Sequence, residues 1–95
     1  MPTQITSLKI ISKDNDSNPE FIVSGSEATL TVWSGDKNIK NSGYFKNRIV
    51  ELLKKEGVDF NSIKTVIANN NDKVISTIHL RELKKAFPSC NIQQV

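Results

Sequence analysis

The sequence holds one histidine, His79, in the run TIHLRELKK, and this run has the residue types that a small metal-independent ribonuclease uses. Histidine takes up and returns a proton near neutral pH, while Arg81, Lys84 or Lys85 could hold a phosphate. No second acid, base or nucleophile stands near it in the chain, so the constellation is incomplete. A plainer use is available at the same place. His79 would open the last helix, with Glu82 three residues on reaching back to its backbone N–H as in a capping box. The pattern leans towards that use and away from an enzyme.

Other chemistry finds less. Cys90 is the only cysteine, so no intramolecular disulfide can form, which fits a reducing cytosol, and no nucleophile signature surrounds it. One His and one Cys, with no HxxxH, CxxC or repeated Asp pattern, do not make a metal site. Gly25, Gly35, Gly43 and Gly57 are too scattered for a phosphate-binding loop. No cofactor or metal is expected.

Binding residues are easier to nominate. Trp33 and Tyr44 flank a polar connector, Ser34 to Gly43, and an exposed Trp on an open sheet could stack a base or anchor a protein. Two lysine doublets, Lys54-Lys55 and Lys84-Lys85, end two helices, where they favour the helix dipole. Together with Lys46, Arg48 and Arg81 they would form an electropositive strip if both helices cover one face of the sheet. The chain supports that asymmetry: Met1 to Asp36 carries a net −3 and Lys37 to Val95 a net +6, within a total of +3. Neither an RNA-recognition aromatic pattern nor a helix-turn-helix signal accompanies the strip.

Ninety-five residues with 37% apolar content predict a single domain, residues 1–95, with little room for a deep pocket. No apolar run approaches the roughly 18 residues of a membrane span, and no leader segment is evident, so a cytoplasmic protein is expected.

These side chains would be positioned by an α+β fold. The spacing of Phe45, Ile49, Leu52 and Leu53 predicts a helix over Asn41 to Val58, with Ser42 as N-cap and Gly57 as stop. Before it, Thr6 to Ser12, Glu20 to Ser24 and Ala28 to Trp33 read as three antiparallel strands, with a loop at Lys13 to Pro19 and a turn at Gly25 to Glu27. After it come a strand over Ser62 to Ala68, whose buried face the alternation leaves open, a turn at Asn69 to Asp72 and a return strand at Lys73 to Ile78. A last helix runs from about Leu80 to Phe87, stopped by Pro88, with residues 89–95 frayed. The expected order is β-β-β-α-β-β-α: a small antiparallel sheet of about five strands, with two helices packed on one face.

The expectation for function is a small cytosolic non-enzymatic binding module, of inhibitor, immunity or regulatory type, docking on an anionic macromolecule through a basic helical surface. Nucleic-acid binding without strong sequence preference, and a ribonuclease-like toxin domain centred on His79, Arg81 and Lys84, are the alternatives. The partner is a protein or a nucleic acid, with no membrane, and a sheet edge offers a route to a homodimer.

Overall fold

A computed structural model describes residues 3–13, 20–33, 35–69 and 75–95. The expected loop at Lys13 to Pro19 and turn at Asn69 to Asp72 fall largely outside them. Strands β1 (Ser7–Lys13), β2 (Glu20–Ser24) and β3 (Glu27–Trp33) precede helix α1 (Ser42–Lys55); β4 (Thr65–Asn69), helix α2 (Thr77–Ala86) and β5 (Asn91–Gln94) follow. Five strands in the order β2-β3-β1-β4-β5 and two helices give an α+β fold with one helical layer.

Strand alternation decides which side the helices cover. Leu8 and Ile10 of β1, Ala28, Leu30 and Val32 of β3, and Val66 and Ala68 of β4 are all buried and share one face through the pairing register. Phe45, Ile49 and Leu53 of α1 and Leu83 of α2 close over them, a burial worth roughly 1.5–3 kcal/mol for each large side chain. The β4 alternation is thereby settled, with Val66 and Ala68 inward. Residues of the other parity, including Lys9, Ile11, Lys13 and Trp33, lie on the second face, which no described helix covers.

The antiparallel expectation holds only for the β2–β3 hairpin, where Gly25 turns at φ 62°. The pairs β1–β3, β1–β4 and β4–β5 are parallel, so the sheet is mixed. Alternation reports which face of a strand is buried and says nothing of its neighbour's direction. Here β3 slots between β2 and β1, leaving at the edge the strand with most exposed apolar surface; α1 carries the chain from β3 across to β4, and α2 is the crossover between the parallel neighbours β4 and β5.

Two further corrections concern the second half. Thr77 and Ile78 belong to α2 and not to a return strand. Ile75, His79, Leu83 and Phe87 are buried at four-residue steps, so the helical face begins earlier than its aliphatic members suggest, with the histidine serving as a core residue. The tail expected to fray forms β5 instead. Ile92 pairs in register with Val66, and the Val95 N–H donates to Ala68 O at 2.9 Å. A four-residue strand with a single inward aliphatic carries almost no periodic signal. At the start of α1 the N-cap is Asn41, whose Oδ1 accepts the Tyr44 N–H at 3.0 Å, one residue before the expected Ser42. Gly57, at φ 70°, ends that helix as expected.

Candidate functional site: the helical layer and an open sheet face

The residues nominated for binding divide between two surfaces. Trp33 stands on the open face beside Lys13, its register partner on β1, and is 37% exposed. Its indole lies over Gly35, so closely that a Cβ there would fall 2.6 Å from the ring. Lys9 and Lys13 share this face, two cations that sequence reasoning passed over. Their signal was the alternation itself, because they have the parity of Trp33 and not of Leu8 and Ile10. A shallow hollow of about 300 Å³ lies on the same face, lined by Ser7, Lys9, Glu27, Thr29 and Ile67 with Val95. Lys9 and Glu27 balance there, which gives an anion no preference for it.

Tyr44 and the helix cations lie in the other layer. The Tyr44 hydroxyl donates to Asp36 Oδ2 at 2.8 Å, while Asp36 Oδ1 accepts the Asn38 N–H and caps the short 3-10 turn Lys37–Lys40. Tyr44 is thus a clamp between that turn and α1. The hydrogen bond to the Asp36 carboxylate, then partial burial and the Asp36 charge, raise its pKa above 10.0.

Where α1 and α2 meet, the Glu82 carboxylate forms an ion pair with Lys85 Nζ at 2.9 Å. It also approaches the start of α1 at Gly43 and feels the Lys46 charge. The Lys85 hydrogen bond holds the Glu82 carboxyl below its ordinary value, with the charges of Lys85 and Lys46 adding to it against some desolvation. Arg48 reaches Glu51 at 3.5 Å, an exposed pair that contributes little. Lys84 turns the other way, donating to Cys90 O at 2.7 Å. Lys54, Lys55 and Arg81 are exposed and have no carboxylate partner among the described residues.

The catalytic trio considered from sequence is not gathered. His79 is 3% exposed, Arg81 points to solvent and Lys84 is tied to the turn before β5. The His79 Nε2–H donates to Ile39 O at 2.8 Å, and Nδ1 accepts the Ser76 backbone N–H at 3.2 Å. The reach-back at this helix start is therefore made by His79 to Ser76, not by Glu82 to His79. With both nitrogens bonded inside the fold, the ring has no lone pair for a substrate. Cys90 is buried as well; its Sγ–H donates to Ile63 O at 3.0 Å and burial pushes the thiol pKa up, the reverse of an activated nucleophile. Among the described residues no three His, Cys, Asp or Glu side chains converge where a metal could bind.

These features define a small α+β domain with one helical layer and one sheet face that no described helix covers. Comparison with protein-family models, with curated proteins and with solved structures gives no match to the chain.

Proposed function

We propose that the chain is a non-enzymatic binding module, of inhibitor, immunity or regulatory kind, which docks on an anionic macromolecule through α1 and α2. One observation carries the reading. The two helices hold seven Lys or Arg against Glu51 and Glu82 alone, while the whole chain is only +3, so the rest is net negative. Such segregation speeds encounter with an acidic surface and makes binding sensitive to salt. Lys54, Lys55 and Arg81 are the cations free to engage it; Lys46 and Lys85 are partly committed to Glu82. No described helix is long and apolar enough to cross a membrane, and a buried free thiol at Cys90 suits a cytoplasmic setting.

Nucleic-acid binding is the second reading, favoured by exposed Trp33 beside Lys13, an arrangement on which an unpaired base could stack. The ribonuclease-like alternative draws no support from His79. A pull-down from the source cell, with and without nuclease, separates the first two. A partner protein retained after nuclease, and weakened roughly ten-fold or more by Lys54→Glu with Lys55→Glu at 0.15 M salt, is the expected result. Binding that ignores this charge reversal would sink the proposal. Lys84→Ala is the wrong probe, because losing its bond to Cys90 O costs about 1 kcal/mol of stability and would confuse folding with binding.

A further inference from the structure

We propose that β2 is the interface of a homodimer, pairing antiparallel with β2 of a second copy about a two-fold axis through Ile22. The strand lies at the end of the sheet, and no described strand occupies its outer side. Natural edge strands are blunted by Lys, Pro or a bulge, yet Glu20–Ser24 reads EFIVS with an unbroken register against β3. Two of the five exposed large apolar residues of the described chain belong to it: Ile22 at 58% on the open face and Val23 at 43% on the helical side.

The occupant follows from the strand's own sequence. In an antiparallel pair, residues directly opposite share a face, so a two-fold axis must stand normal to the sheet and join residues whose numbers have the same parity. The register centred on Ile22 is the one that uses all five residues. It sets Ile22 against Ile22 of the second copy on the open face. Phe21 meets Val23 of the second copy on the helical face, where Phe21 already packs against the core. Glu20, the only charge in the strand, meets Ser24, so no like charges face each other. Shifting by two residues either places Glu20 opposite Ile22 or leaves fewer pairs. The strand is thus complementary to itself, as a two-fold interface requires. The product is one sheet of ten strands with the four helices on the same side. Five residues from each copy make a small interface, so the dimer is expected to be weak.

The test uses the full chain. Sedimentation velocity from about 1 to 500 µM should show a monomer passing to a dimer with concentration. Ile22→Lys, which sets two ammonium groups face to face at an exposed position, should leave a monomer with an unchanged circular dichroism spectrum. Ile22→Cys should form an intermolecular disulfide on mild oxidation, because opposite Cβ atoms lie about 5 Å apart, while Ser24→Cys should not, its two copies being offset by four residues, or about 13 Å. A monomer across the whole range, a dimer that survives Ile22→Lys, or equal cross-linking of the two cysteine variants would each overturn the assignment. The cross-linking comparison keeps the test decisive should Ile22→Lys fail to fold.

Discussion

His79 donates from Nε2 to the carbonyl of Ile39 at 2.8 Å, joining the first turn of α2 to the 3-10 turn before α1 across 40 residues of chain. A carbonyl only accepts, so the proton resides on Nε2, and Nδ1 is left to accept the Ser76 N–H and to lie 2.8 Å from the Ser76 hydroxyl. The ring also meets Phe45 edge-on, with centroids 5.0 Å apart. One imidazole therefore fixes the connector, α1 and α2 relative to one another. His79→Ala would orphan the Ile39 carbonyl and open a cavity against Phe45, which should cost about 2–4 kcal/mol. Urea unfolding should show a lower midpoint at an unchanged slope. A loss below about 0.5 kcal/mol, the level of an ordinary surface substitution, would show that the ring holds nothing together.

Trp33 and Gly35 make a second dependence that a single substitution can expose. Ala at position 35 puts its methyl group into the indole, 2.6 Å from Cε2 and Nε1. Because Trp33 is 37% exposed, the ring can escape outward and need not drag the backbone with it. Gly35→Ala should therefore red-shift the emission of the only tryptophan while costing about 1–3 kcal/mol, the usual range for overpacking. An unchanged emission maximum would mean that the indole does not rest on Gly35.

The sequence was most informative where aliphatic side chains alone set the period. Phe45, Ile49 and Leu53 mark α1, and Leu8, Ile10, Leu30 and Val32 mark the inner face of the sheet; all are buried where expected. It was least informative where a polar residue does apolar work or one residue must stand for a strand. His79 continues the buried face of α2 back to Ile75, and read as polar it hid the first turn of that helix. Ile92 alone represents β5. Strand direction was illegible for a different reason, since the pairing of β3 with β1 depends on contacts between distant segments that neither strand encodes separately. The candidate site was half legible. Alternation placed Trp33 on the uncovered face, but the Glu82 carboxylate between Lys46 and Lys85, and the Lys84 bond to Cys90 O, arise from packing that no local pattern reports.

Tyr44 and Asp36 supply a prediction in alkaline solution. The hydroxyl donates to a carboxylate, and deprotonation would set two anions against each other at the junction of the 3-10 turn and α1, which is why the Tyr44 pKa is raised. A group whose folded pKa exceeds its unfolded one adds stability that is fully present below the unfolded value, near pH 10 for tyrosine, and lost as pH rises through the folded value. Cys90, raised by burial, has the same sign from its lower starting point. The two are separable. The chain has a single tyrosine, so its ionisation can be followed alone at 295 nm. Asp36→Asn keeps an oxygen to cap the Asn38 N–H but removes the charge beside Tyr44. It should move the phenol titration to lower pH and shrink the alkaline loss of stability by the Tyr44 share, leaving the Cys90 share in place. Superimposable titrations of the two proteins would show that the Asp36 carboxylate does not hold the phenol proton.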